Sequence, residues 1–459
     1  MKETIDTSKQ DSQKIIKEMQ AIQYFNEALK SSDFDQQIQL YNKAIELNPD
    51  LDEAYNNRAN TKSKLGQYES AIEDYNMAIK LNSEDAETYF NRAKTRSELS
   101  QKEQAVEDYN KAIELNPKFT KAYNNRATIK IELGQNESAI EDYNMVIKLN
   151  PEDAEAYFNR ANTKSELGQN EQAVEDYNMV IKLNPEDADA YNNRAYDLSL
   201  LGQNESAIED YNIAIKLNPE DAEAYYNRAN TKSELGQKEQ AIEDYNKAID
   251  LNPEYAKAYY NRAIIKSELG QNESAIEDYN KAIELNPEDA GGYYNRAATK
   301  SELGQNESAI EDYNTAIKLD PEDAGAYYNR AYTKSELGQS ESSIEDYDKA
   351  IELNPEYAGA YYNRAYMKSE LGQNESAIED YNKAIELNPK DAGAYYNRAI
   401  IKSELGQNES AIEDFDKAIG LDPNFAEAYY NRGTVKSNLG LNESAEEDHK
   451  KGIELGFIV

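Results

Sequence analysis

The sequence predicts an all-α solenoid of antiparallel helix pairs, and three observations predict it. The stretch Ala222–Tyr255, AEAYYNRANTKSELGQKEQAIEDYNKAIDLNPEY, returns as a near copy every 34 residues, and the block Ser267–Asn280 recurs letter for letter at Ser301–Asn314 and Ser369–Asn382. Numbering the places of this unit from Ala222, all 11 prolines of the chain fall at place thirty-two, Pro49, then Pro117 to Pro423. Glycine holds place fifteen, from Gly66 and Gly134 onward to Gly440. A unit this short owns no core, so each must seal against its neighbours.

In chain order, residues 1–17 form a polar segment, expected as a frayed or short helix. Residues 18–51 form a degenerate first repeat, whose second half fits the pattern better than its first. Residues 52–459 hold twelve repeats in strict register, the last acting as a C-terminal cap. Glycine stops a helix at its C-terminus, and proline cannot continue one but fits a first turn. Helix A therefore spans about places one to fourteen and helix B about seventeen to thirty. Ser83 and Ser100 replace the expected Pro and Gly. Both fall at the second repeat, so that junction is expected to be the most flexible.

Helical periodicity sorts the faces. In helix A, Tyr225, Arg228, Ala229, Lys232 and Leu235 share one side; Glu223, Asn227, Asn230 and Glu234 share the other. In helix B, Ala241, Tyr245 and Ala248 form a stripe edged by Ile242 and Ile249. Small residues let helices approach, and tyrosines fill the gaps between them.

The pattern resembles the tetratricopeptide repeat: an aromatic at place four, Ala at eight, twenty and twenty-seven, an aromatic at twenty-four, and Pro at thirty-two. It departs from the family at places seven and eleven, where Arg and mostly Lys stand for an apolar residue and an aromatic. The resemblance implies a right-handed superhelix with helix A on the concave face. Some family members grip a C-terminal carboxylate with Lys at place two and Asn or Arg at place six of nearby repeats. Here Lys121 and Lys257 hold place two, but Asp189 and Gly325 stand two repeats on, so that clamp is incomplete.

Lys and Arg total 50 against 88 Asp and Glu, a net charge of −38. That argues against nucleic acid, whose affinity comes from cations on phosphates, and against an anionic membrane surface. With no cysteine and one histidine, His449, no thiolate chemistry, metal cluster or catalytic constellation is expected. The chain is therefore expected to be no enzyme and to need no cofactor. Lacking a long apolar run or signal-type start, it is expected in the cytoplasm.

Arg at place seven recurs on the inward side of helix A, and Asp at place twenty-three recurs on helix B, each in all twelve full repeats. A half-buried guanidinium needs an anion, so Arg228 is expected to pair with Asp244 and Arg262 with Asp278. The lysines at place eleven are expected to lay their stems along the core and send the ammonium outward.

Place six is Asn in all twelve full repeats, including Asn227, Asn261, Asn295, Asn329, Asn363 and Asn397. An amide both donates and accepts, so this row is expected to grip the backbone of an extended peptide. The resemblance adds the asparagine ladder of O-linked N-acetylglucosamine transferase; inherited copying is the alternative. Place five becomes Tyr from Tyr226 onward, with Tyr260, Tyr294, Tyr328, Tyr362 and Tyr396, and place nine gains Tyr332 and Tyr366. Glycines enter place two at Gly291, Gly325, Gly359 and Gly393. An aromatic, less charged channel is expected there, with packing between A helices as the alternative. Tyr196 and Leu200 make a separate apolar spot.

The function these features predict is a protein-interaction scaffold with a peptide in its groove. The alternatives are an architectural or self-assembling solenoid with an empty groove, and a non-catalytic regulatory arm of a separate enzyme.

Overall fold

The computed structural model describes residues 2–458, among which there are 26 α-helices and no strand. The chain divides into two compact units, Met1–Leu235 and Gly236–Val459. Within each unit every helix packs on the helix before and the helix after it. A helices of successive repeats also touch, whereas no B helix reaches the next B helix to a comparable extent. Each stack is therefore tighter on its A side.

Residue chemistry explains the regular spacing. Helix A covers places one to thirteen, as in Ala324–Glu336, and helix B places seventeen to thirty, as in Ser340–Leu353. The glycines at place fifteen have φ of 70–79°. There, the following Gln N–H returns to the place-eleven carbonyl (Gln305 to Lys300, 2.9 Å) and the Gly N–H to place twelve (Gly304 to Ser301, 2.9 Å), closing a Schellman motif. Ser100 adopts φ 58° and makes the same two bonds, so the junction expected to be loose has the ordinary geometry. Proline does not open helix A: it lies three places ahead, in a turn whose preceding Asn or Asp accepts the N–H two residues on (Glu254 N to Asn252 Oδ1, 3.1 Å).

Alanines at places eight and twenty are sealed, together with a place-three alanine that periodicity did not single out; Ala326, Ala331 and Ala377 are all 0 % exposed. The helix-B aromatic at place twenty-four is likewise enclosed in every repeat from Tyr75 to Phe415. Burying an aromatic of this size stabilises by about 2 kcal/mol, and the repeat supplies one per helix pair.

The N-terminal helix corrects one expectation. It runs unbroken over Lys2–Lys30, with no boundary at residue 17. At the other end Phe457 stacks on Tyr430, ring centroids 4.3 Å apart, while Val459 lies outside the described residues. His449 takes the place-twenty-four position and rests 4.6 Å from the Tyr430 ring. A Cβ on Gly433 would come within 2.6 Å of the imidazole, so this Ala-to-Gly change at place eight makes room for the His.

Candidate functional site

The charged residues assemble a buried framework. Arg262 Nη2 donates to Asp278 Oδ1 at 2.5 Å and Nε to Oδ2 at 2.7 Å. Lys266 Nζ also reaches Asp278 Oδ2 at 2.7 Å. The same triad recurs, for example Arg126–Asp142–Lys130 and Arg330–Asp346–Lys334. The lysine expectation is thus corrected: the ammonium turns inward, because one carboxylate has lone pairs for both cations and burial strengthens the attraction. The aspartates are 3–6 % exposed. Each arginine also bonds the place-twenty-five residue of the preceding repeat, as Arg262 to Asn246 at 2.5 Å. Its guanidinium lies over the place-four tyrosine (Arg262 over Tyr259, 5.5 Å). Sequence reasoning missed that residue, although the recurrence of Asn there, with Asp at Asp348 and Asp416, was visible. Arg228 bonds Asn212 and lies over Tyr225, and Asp244 is buried. At the C-terminal triad, burial pushes the Asp448 carboxyl up, but hydrogen bonds from Arg432 and Lys436 outweigh it and hold the pKa below the usual range.

The Asn and Tyr rows meet each other. Asn295, Asn329, Asn363, Asn397 and Asn431 each donate an amide N–H to the place-five Tyr hydroxyl of the preceding repeat, at 2.7–2.9 Å. One N–H of each of these amides is therefore taken within the chain. Tyr260, Tyr294, Tyr328, Tyr362 and Tyr396 are half-buried and set edgewise or tilted on their own helix-B aromatic, centroids 5.7–6.0 Å apart. Packing between A helices, the alternative weighed for this row, describes these residues. Tyr226, Asn227 and Asn261 are partly buried too. Burial raises the Tyr260 pKa, aided by the Asp289 charge, while the Asn295 bond opposes it.

The place-two glycines belong to the same packing. A Cβ on Gly291 would lie 3.2 Å from the Tyr260 hydroxyl, and one on Gly393 3.3 Å from that of Tyr362. They make room for the preceding tyrosine, whose hydroxyl occupies the space beside each glycine in the aromatic channel expected from sequence. Where place thirty-four is aromatic, its ring stacks there as well: Tyr328 and Tyr357 lie 4.6 Å apart.

Tyr332 and Tyr366 are different, at 48 % and 45 % exposed. They flank a recess of about 510 Å³ between successive A helices, with Tyr347, Asn363, Glu336 and Glu370 in its lining. Beneath Tyr332, the hydroxyl of Tyr347 is buried and has no hydrogen-bond partner. At two positions of the first unit the equivalent hydroxyl is satisfied by a place-nine Asn: Tyr75 to Asn60 at 2.7 Å and Tyr177 to Asn162 at 2.5 Å. The unpartnered hydroxyls are those of Tyr211, Tyr347 and Tyr381, whose repeats carry Tyr196, Tyr332 and Tyr366 at place nine. Among the described residues no group of His, Cys, Asp and Glu is arranged to hold a metal, and no helix is long and apolar enough to cross a membrane.

Family models described as tetratricopeptide repeat match residues 52–119, 154–187, 222–289 and 426–455, with related models covering 127–168, 198–236 and 299–440. The chain belongs to the tetratricopeptide repeat family. Repeats of this family generally serve as protein-interaction scaffolds. A search of curated proteins returned no match. Among solved structures, YrrB, described as a protein of this family with an unusual peptide-binding site, is 26 % identical over 41 % of this chain and 97 % of its own, at TM-score 0.38. MamA is 28 % identical over 36 % and 91 %, at 0.35. Yeast Tom70 is 19 % identical over 87 % and 96 %, also at 0.35. At these scores none of the three fixes how the repeats of this chain are arranged.

Proposed function

We propose that the chain is a scaffold that holds an extended segment of a partner protein along its A-helix side, centred on the recess flanked by Tyr332 and Tyr366. The observation that carries this reading is that recess: two large aromatics stand exposed over a buried hydroxyl that the protein leaves unused. At Tyr75 and Tyr177 the equivalent hydroxyl is satisfied by an Asn of the chain, and the place-five tyrosines from Tyr260 to Tyr396 are packed on helix-B aromatics. The Asn row assists as a brace, with one amide N–H committed to Tyr and the carbonyl turned to the segment. The Arg228–Asp244 and Arg262–Asp278 pairs hold the scaffold's shape and take no part in contact. The test is peptide binding by the whole chain against a variant with Tyr332→Ala and Tyr366→Ala, and a second with Asn295, Asn329 and Asn363→Ala. Loss in the first and partial loss in the second are expected; equal binding by all three proteins would remove the groove reading.

A self-associating solenoid is the second reading, favoured by one observation. The first helix exposes Ile15, Ile16, Met19 and Ile22, each at least half exposed, beside a recess of about 700 Å³. Residues 1–30 carry five lysines against five acids in a chain of net charge −38, so this helix lacks the repulsion of the rest. Sedimentation that stays monomeric across a wide concentration range would exclude it.

A further inference from the structure

We propose that the recess between helices Ala324–Glu336 and Ala358–Glu370 receives a lysine or arginine side chain of the bound segment. This rests on the groove reading above and names the chemistry of its ligand.

The walls are aromatic. Tyr332 and Tyr366 stand one repeat apart at the same helical place, both near half exposed. A tyrosine face attracts a cation, more strongly as water is excluded. The floor offers unused oxygen. Tyr347 is 0 % exposed and its hydroxyl has no partner at hydrogen-bond distance; Ser335, Ser343 and Asn363 lie near enough for weak hydrogen bonding that opposes the burial-driven rise of its pKa, yet none closes a full bond. Behind it, outside the lining, Ser343 is also 0 % exposed with an unpartnered Oγ, and it stands where neighbouring repeats have Ala309 and Ala377. A hydroxyl keeps lone pairs for a donor, and an ammonium or guanidinium brings several.

Charge decides between a cationic and an anionic guest. Glu336 and Glu370 lie in the lining, neither in an ion pair, and no basic residue joins them. The lysines on the same two helices are already committed, Lys334 to Asp346 and Lys368 to Asp380, at 2.8 Å each. A carboxylate guest would meet two like charges and no cation. In the first unit the recess at Tyr75 is lined by Lys64 and Lys94, and its hydroxyl is occupied by Asn60. The sequence changes at the second recess act together. Tyr332 removes the Asn that would satisfy Tyr347, and Met367 replaces the Thr that stands at Thr333 one repeat earlier. Ser335 then turns back to the Tyr332 carbonyl at 2.7 Å.

The experiment is selection of a displayed random 12-residue peptide library on the purified full chain, followed by affinities of the recovered peptides. The expected result is a shared Lys or Arg whose replacement by Met weakens binding about tenfold. Glu336→Gln with Glu370→Gln is expected to weaken it similarly and flatten its salt dependence. Tyr366→Ile, a residue found at this place in Ile264 and Ile400, is expected to weaken it several-fold. Tyr347→Phe, matched by Phe415 in another repeat, is expected to weaken it while thermal stability stays level or rises. Peptides that bind regardless of their basic residue, or that depend on an acidic one, would overturn the inference and leave the groove reading standing. Recovery of no peptide would overturn both.

Discussion

In the first unit the recess at Tyr75 is closed by its own chemistry: Asn60 accepts the hydroxyl, and Lys64 and Lys94 join the lining. In the second unit the recess at Tyr347 has the same helices, triad and core tyrosine, but Tyr332 replaces the Asn. The hydroxyl is then left without a partner and the lining turns aromatic and acidic. One framework thus carries both a self-satisfied surface and an open one. The difference lies in side chains that do not touch the triad. A repeat protein can alter its surface locally in this way because each unit answers only to its neighbours.

The strongest way to break the comparison is to attack what the two regions share. Asp142→Asn in the first unit and Asp346→Asn in the second are each expected to cost about 3–5 kcal/mol, since each strands a buried Arg and Lys. Hydrogen exchange of the amides in the affected repeat would read this; a loss in one unit only would mean the framework is not equivalent. Removing the lysine is expected to cost far less, because Leu198 already replaces it beside the intact Arg194–Asp210 pair.

A second test uses an anomaly of the first unit. Asp197 is 0 % exposed, accepts from Ser165 at 2.6 Å, and has an unpartnered Oδ2. Burial pushes its pKa from 3.8 up to about 6, with the Ser165 bond opposing. Between about pH 4 and pH 6 the unfolded chain ionises this group before the folded one does, so stability falls as pH rises through that window. Asp197→Thr, the residue at this place in neighbouring repeats, is expected to gain about 3 kcal/mol at pH 7–8. The gain should shrink as pH falls toward 5, measured by urea unfolding of both proteins. A gain independent of pH would show that the carboxyl's ionisation is not the cause.

The sharpest test of the comparison itself is smaller. Tyr75→Phe removes a hydroxyl that Asn60 uses and is expected to cost about 1 kcal/mol. Tyr347→Phe removes one that nothing in the chain uses and is expected to be neutral or stabilising. Equal costs in thermal unfolding would erase the distinction between the two recesses. Smallest of all, Ser100→Gly places glycine in a left-handed conformation that an L-residue adopts at a penalty. A gain of about 1 kcal/mol or less is expected, seen as slower exchange at that turn.

Much of this was legible in the residues. The 34-residue period, the glycines and the alanines located the helix pairs and their inner faces, because local sterics and helical spacing act without knowledge of the fold. Arg262 and Asp278 could be paired on paper, since each lies inward and neither tolerates burial alone. The lysine was misplaced because spacing shows which side a stem leaves from, not where its end finds an anion. Tyr260 and Gly291 were read as parts of an open channel for the same reason. They belong to consecutive repeats, and their close approach exists only once helices stack.

The order of helices, their ends, their buried stripe and the family all follow from patterns repeated within single units, where backbone geometry and apolar spacing suffice. Which tyrosines are sealed and which stand open, and which hydroxyl lacks a partner, depends on distances of about 3 Å between side chains from different helices. Hydrogen bonds discriminate at that range, and a one-dimensional period does not record it.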